Sequence, residues 1–119
     1  MNSIKMNNRG INVSVSVYIF KENDTYIAYC PSLDLSGYDT TIEKAKIDFE
    51  FMLSDYMKTQ IQNGTLNEDL TNHGWKAGNT KTALYSEPKV EEMLSTNKQL
   101  QDVISLPEYS KINVESVCR

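Results

Sequence analysis

The chain has 119 residues, of which 39% are hydrophobic and 24% are charged, and its formal net charge at neutral pH is −4. A chain of this length can bury one core but leaves no room for a second full domain, and its apolar content is too high for a disordered protein. The acidic balance favours a basic partner and opposes non-specific binding to nucleic acid.

The N-terminal part of the chain predicts a short polar lead followed by a hairpin. Met1 to Gly10 is polar and lacks the apolar stretch of a signal peptide, so we expect a flexible N-terminus. Apolar and polar residues alternate from Ile11 to Phe20, which predicts a half-buried strand. Lys21 to Asp24 predicts a turn, and Thr25 to Cys30 predicts a second strand paired to the first. A short third strand is expected around Gly37 to Asp39.

A long amphipathic helix should follow. Thr40 to Glu43 places a hydroxyl and, three residues later, a carboxylate in the capping-box arrangement that satisfies two helix-terminal amides. The helix should end near Asn63, because Gly64 suits a left-handed cap. Apolar residues at spacings of three and four predict one buried stripe, formed by Ile42, Ala45, Phe49, Met52, Leu53 and Tyr56. Thr65 to Glu68 repeats the capping box and predicts a short helix that Gly74 closes.

The remaining segment predicts a short strand, helices and a last strand. Thr80 to Tyr85 is the candidate short strand, and Ser86 to Ser105 has helical spacing that Asn97 could divide into two short helices. Tyr109 to Val117 is the candidate last strand. We therefore expect an α+β fold with an antiparallel β-β-β-α core in residues 11–85 and a C-terminal extension, 86–119, packed on the same domain.

The run from Tyr26 to Ala45, YIAYCPSLDLSGYDTTIEKA, resembles the core signature of the HicB-like antitoxins of type II toxin–antitoxin systems. That family has a tyrosine, a small residue, an aromatic residue, a proline, then a glycine, and a threonine with a glutamate-alanine helix start. The similarity extends over about Val13 to Met57. It implies a partial ribonuclease-H-like core that cuts nothing and that occludes a small basic ribonuclease toxin, HicA-like, in the cytoplasm.

One departure from the family concerns DNA. HicB proteins commonly carry a C-terminal operator-binding module, and none is visible here. Residues 86–119 hold four basic side chains against six acidic ones, which argues against DNA binding. The alternatives left open are a degenerate or active ribonuclease-H-like nucleic-acid-processing domain and an orphan self-assembling scaffold. No apolar run is long enough to cross a membrane.

Candidate catalytic residues have simpler explanations in local structure. Carboxylates that could bind two metals for phosphoryl transfer are Asp24, Asp34 and Asp39, but all three sit where turns and helix starts favour aspartate. His73 is placed to contact the carbonyls at a helix end. Cys30 is expected to be a reduced strand residue. We predict no enzyme activity, no metal site and no cofactor.

Other side chains have competing interpretations too. Tyr18, Tyr26, Tyr29 and Tyr38 could form a base-stacking platform, but tyrosines also alternate naturally on half-buried strands and basic residues are not interleaved with them. Trp75 is predicted to anchor a small core. The second thiol, Cys118, is also expected to be reduced.

Two apolar residues of the long helix lie outside its buried stripe. Ile47 and Phe51 are four residues apart on the opposite side, where a monomeric helix is normally polar. We expect them to be covered, and the segment from Val90 to Ile104 is the favoured cover because it needs an apolar surface. The other option makes Ile47 and Phe51 an interface with a toxin partner or a second subunit, since we expect a homo-oligomer.

Overall fold

The computed structural model describes residues 2–7, 10–78 and 84–118. Within them the chain is a mixed α+β structure with an antiparallel sheet of seven strands and four helices. The strands are β1 (Ser3–Asn7), β2 (Gly10–Glu22), β3 (Thr25–Cys30), β4 (Leu35–Asp39), β5 (Lys76–Ala77), β6 (Leu84–Ser86) and β7 (Ser110–Cys118). The helices are α1 (Ile42–Asn63), α2 (Leu66–Asn72), α3 (Val90–Leu94) and α4 (Lys98–Ile104).

Strand β2 organises the sheet because it pairs with three other strands. The path of neighbouring strands is β4-β3-β2-β1-β6-β5, and β7 joins β2 outside this path. Tyr18 and Ile19 pair with β3 and with β7 at once, so these two strands lie on opposite edges of β2. Strand β1 pairs with Gly10 to Val13 and lies on the same edge as β3. The predicted β2–β3 hairpin and the last strand are confirmed.

One face of the sheet packs against helices α1 and α2. The odd-numbered residues of β2 from Val13 to Ile19 share a core with the buried side of α1. That side consists of Ala45, Phe49, Leu53 and Met57. The predicted stripe is therefore wrong at its margins: Met57 belongs to it, whereas Ile42 and Met52 are exposed, because Ile42 is the first residue of the helix and Met52 lies to one side of the buried line.

The other face of the sheet is covered by α3 and α4. Tyr18, Phe20 and Tyr29 form a second core there, with Met93, Leu100 and Val103 contributed by the two helices. This corrects the favoured expectation that Val90 to Ile104 covers Ile47 and Phe51. The side of β2 that faces away from α1 is polar at its serines but aromatic at Tyr18 and Phe20. The aromatic end gives the C-terminal helices an apolar surface, which the alternation of β2 alone does not predict.

The N-terminal segment also differs from the prediction of a flexible lead. Ser3–Asn7 is strand β1, which pairs with β2 on one side and β6 on the other. Ile4 is fully buried and Met6 packs against the core, so the short alternation of apolar residues supplies the strand's stabilising contacts. The predicted short strand at Thr80 to Tyr85 coincides with the described structure only at Leu84 and Tyr85, since residues 79–83 lie outside it.

Helices α1 and α4 are capped near the predicted positions, but the N-cap of α1 lies one residue later than predicted. Thr41 is the N-cap of α1, and its hydroxyl accepts a hydrogen bond from the amide of Lys44 at 3.1 Å. The capping box expected from Thr40 to Glu43 does not form, because the third helical residue is then Lys44. Gly64 ends α1 in the left-handed conformation, as predicted. Asn97 caps α4 through its side chain, which divides the C-terminal helical segment as expected.

Strands β1 and β3 pair with different parts of the same edge of β2, and the residues of β2 between them have no strand partner on that edge. The carboxylate of Glu87 lies at this position. Glu87 accepts hydrogen bonds from the backbone amide of Ser16 at 3.1 Å, the hydroxyl of Ser32 at 2.5 Å and the side-chain amide of Asn2 at 2.9 Å. The amide of Ser16 has no partner strand at this point, so Glu87 replaces a missing ladder acceptor. The same contacts join the segment that leads into α3 to the sheet.

Candidate functional site

The outer face of α1 carries an exposed apolar stripe. Ile47 is 66% exposed and Phe51 is 70% exposed, and Ile61 on the same side is 45% exposed. With Ser54 and Lys58 between them, these residues follow spacings of four, three, four and three, which place them in one line along a helix. We call this line, Ile47, Phe51, Ser54, Lys58 and Ile61, the outer stripe. Three of its five side chains are large and apolar, and such exposed apolar residues on one side of a helix are typical of a surface that another protein covers.

The sheet holds α1 very close through Gly37 of β4. A Cβ atom at Gly37 would lie 2.3 Å from the backbone nitrogen of Phe49 and 2.6 Å from its Cα, which no side chain tolerates. At the next residue, the amide of Tyr38 donates a hydrogen bond to Asp48 of α1 at 2.9 Å. The backbone contact and the hydrogen bond fix α1 against the edge strand and direct its outer stripe to solvent.

Acidic side chains border the outer stripe on both sides. Glu43 and Glu50 follow one flank, and Asp48 and Asp55 follow the other, by the same helical geometry. The stripe itself includes Lys58, and Lys44 continues its line toward the N-terminus of the helix. A partner whose apolar residues are bordered by lysines and arginines would match these flanks, whereas an acidic partner would not.

A second copy of α1 fits this surface poorly. If two α1 helices packed antiparallel about Phe51, each acidic flank would face the same acidic flank of the other copy. Lys44 would then lie opposite Lys58, because both are seven residues from Phe51. Parallel packing would also place acidic flanks together. The charge pattern therefore opposes self-association through this face.

The three candidate carboxylates do not converge. Asp24 lies in the β2–β3 turn and Asp34 in the β3–β4 connection, where it adopts a left-handed backbone with φ of 54°. Asp39 ends β4 and accepts a hydrogen bond from the amide of Thr40 at 2.6 Å. Each position is thus accounted for by turn or cap geometry. Among the residues described, no group of three or more histidine, cysteine or acidic side chains could hold a metal ion.

His73 contacts a helix-end carbonyl, as the sequence predicted. Its Nδ1 lies 2.8 Å from the carbonyl oxygen of Asp69, and the geometry is satisfied by an Nδ1–H donor. The Asp69 carboxylate is 3.5 Å from the same nitrogen and accepts a hydrogen bond from the hydroxyl of Tyr56. Burial, followed by the contact with Asp69, raises the pKa of Tyr56. These contacts join the end of α2 to α1.

The two thiols are free, and Cys30 is inaccessible. Cys30 is completely buried and its sulfur lies 3.3 Å from the hydroxyl of Ser32. Burial raises the pKa of the Cys30 thiol to about 12, so it is protonated at neutral pH and a poor nucleophile. Burial also raises the pKa of Cys118, which is partly exposed at the end of β7.

The four tyrosines do not form a stacking platform. Tyr18 and Tyr29 are buried under α3 and α4, whereas Tyr26 packs on the core of the other face and Tyr38 is exposed at the edge strand. Trp75 is buried, but in the large core shared by β2 and α1 rather than in the small core that was predicted, and its indole N–H donates to the carbonyl of Ser32 at 2.7 Å. These aromatic residues, apart from the exposed Tyr38, therefore serve packing.

The sequence identified Ile47 and Phe51 but missed the extent of the surface. Ile61 was not recognised as part of it, although its spacing from Phe51 follows the same helical line. No family model, curated protein or solved structure matches the chain. Within the described ranges, no helix is both long and apolar enough to cross a membrane.

Proposed function

We propose that this chain is a non-catalytic protein-binding module of the HicB-like kind, which inhibits a small basic ribonuclease toxin by covering it. The observation that carries the proposal is the outer stripe of α1, where Ile47 and Phe51 are exposed between acidic flanks. An apolar surface with acidic borders suits a basic protein whose own apolar residues need cover.

The arrangement of the N-terminal half supports the same proposal. Strands β2, β3 and β4 followed by α1 give the β-β-β-α order expected from the resemblance, and Gly37 of the shared signature seats α1 on the sheet. We propose that this unit is the partial ribonuclease-H-like layer of the family. Because the sheet holds α1 rigid, little conformational entropy is lost when a partner binds the outer stripe. A cytoplasmic location is part of this proposal.

Co-expression with the product of the adjacent reading frame tests the proposal. We expect that frame to encode a small basic protein that arrests growth when expressed alone, and we expect the present chain to restore growth and to co-purify with it. An adjacent frame without such a protein, or a toxin that still arrests growth in the presence of this chain, would overturn the antitoxin proposal.

A further inference from the structure

Strand β7 ends the sheet with an open edge. Among the described residues it pairs only with β2, and no backbone hydrogen bond joins its other edge to another element, although the side-chain oxygen of Asn113 accepts a hydrogen bond from Asn2 at 3.2 Å. The strand is nine residues long and contains neither proline nor glycine. Open edges of this length are usually shortened, bent or covered, because they present a row of unpaired amides and carbonyls to any other strand.

The register with β2 shows which residues of β7 direct their backbone groups outward. Ser16 lies opposite Asn113, and the Ser16 amide points away from β7, to Glu87. In an antiparallel ladder, the backbone N–H and C=O groups of two opposite residues either bond to each other or both point away from the pair. Asn113 therefore directs its N–H and C=O toward the open edge. By the period of two, so do Lys111 and Glu115.

The side chains of β7 complement one another about Asn113. Two copies of the strand, antiparallel and related by a two-fold axis at Asn113, place Lys111 opposite Glu115 of the other copy, twice. Ile112 of each copy likewise lies opposite Val114 of the other, on the face of the sheet that α1 covers. Shifting the axis to Glu115 or Lys111 would instead oppose two like charges. The charges thus select one register.

The same register covers two exposed apolar side chains. Tyr109 is 43% exposed and Val117 is 57% exposed, and each is four residues from Asn113. Tyr109 directly precedes β7, and extending the pairing by one residue brings it opposite Val117 of the other copy, on the same face of the sheet as Lys111 and Glu115. Both ends of the paired strand would gain apolar contact.

We propose that the chain forms a homodimer by antiparallel pairing of β7 with β7 of a second copy, centred on Asn113, which makes one continuous sheet across the two subunits. This interface is independent of the proposed binding by α1. The outer stripe remains exposed in the dimer, so each subunit keeps its own binding face.

Exchange of charges tests the pairing in solution. We expect sedimentation equilibrium of the wild-type chain to give the mass of two 13.6 kDa chains. Lys111→Glu alone opposes two acidic side chains at each pair and should weaken dimerisation by about tenfold or more. Lys111→Glu combined with Glu115→Lys restores opposite charges and should return the dissociation constant to within about threefold of wild type, the charged pairs being regenerated.

A disulfide at the two-fold axis tests the register. In a Cys118→Ser background, Asn113→Cys should form a disulfide-linked dimer on mild oxidation, because residues opposite each other in a hydrogen-bonded pair have Cα atoms about 5.5 Å apart. Lys111→Cys is the matched control and should not cross-link, since its counterpart lies farther along the strand. A chain that is monomeric at all concentrations overturns the proposal. A dimer in which Asn113→Cys does not cross-link and the double charge exchange does not restore affinity overturns it equally.

Discussion

Gly37 faces the backbone of helix α1 at a distance that leaves no space for a side chain. Its replacement by alanine must push α1 away from β4, because the atoms it would meet belong to the backbone of Asp48 and Phe49. We expect Gly37→Ala to lower the free energy of unfolding by about 1–3 kcal/mol, the range of overpacked cores. Urea denaturation measures this. Gly78→Ala, with its nearest contact at 3.4 Å, is the control and should cost much less.

The buried thiol of Cys30 gives a second prediction at this scale. Because burial raises its pKa to about 12, Cys30 should resist iodoacetamide at pH 8 in the folded protein and react only after denaturation. The unfolded thiol ionises at lower pH than the folded one, so this burial stabilises the fold below about pH 9 and loses effect as the pH rises toward 12. Mass spectrometry of labelled peptides reports the outcome. Equal labelling of Cys30 and Cys118 in the native protein would contradict it.

Glu87 substitutes for a strand at the edge of β2, and its removal should be costly. Glu87→Ala leaves the amide of Ser16 and the hydroxyl of Ser32 without their acceptor. We expect a loss of about 1–3 kcal/mol in unfolding free energy, the usual cost of such unpaired groups. Glu91→Ala is a suitable control, because Glu91 is exposed on α3. Similar stabilities for the two variants would show that the Glu87 contacts contribute little.

At the scale of elements, the position of the C-terminal helices separates two packing schemes. Leu100 of α4 is fully buried against the face that carries Tyr18 and Phe20, whereas Phe51 is exposed on α1. Leu100→Ala should therefore cost about 2–4 kcal/mol. Phe51→Ala should change stability by less than about 0.5 kcal/mol. A large loss for Phe51→Ala would restore the idea that a segment of the chain covers α1.

The sequence predicted those elements whose periodicity is long and whose ends carry a turn or a cap signal. The β2–β3 hairpin and α1 met both conditions, and Asn97 marked the division between α3 and α4. Strand β1 was missed because its alternation, Ile4 and Met6, covers only five residues. The packing side of α3 and α4 depends on where β2 changes from serine to aromatic residues, which is a tertiary property.

For the candidate surface, sequence spacing was informative but incomplete. Ile47 and Phe51 stood out because they lie outside the buried stripe of α1, and their exposure agrees with that placement. The open edge of β7 could not be predicted, since it depends on which strand takes each side of β2. A periodic pattern identifies a strand, but it does not specify its neighbours.

At the scale of the whole molecule, the acidic balance predicts weak binding to duplex DNA. The net charge is −4, and residues 86–119 hold more acidic than basic side chains. Few phosphates can be neutralised, so we expect fluorescence anisotropy to detect no tight, sequence-selective binding at physiological salt. Tight and selective binding would reveal an operator-binding surface, for example one assembled across the two subunits.

The affinity for the basic protein encoded in the adjacent frame tests the central claim most directly. Isothermal titration calorimetry should compare the wild-type chain with Ile47→Ser/Phe51→Ser and with Tyr38→Ser, which removes an aromatic side chain of similar exposure from β4. We predict that the double variant folds normally and binds about 100-fold more weakly, as expected for the centre of an interface, whereas Tyr38→Ser binds like wild type. Unchanged affinity in the double variant would contradict the assignment of the α1 face as the binding surface.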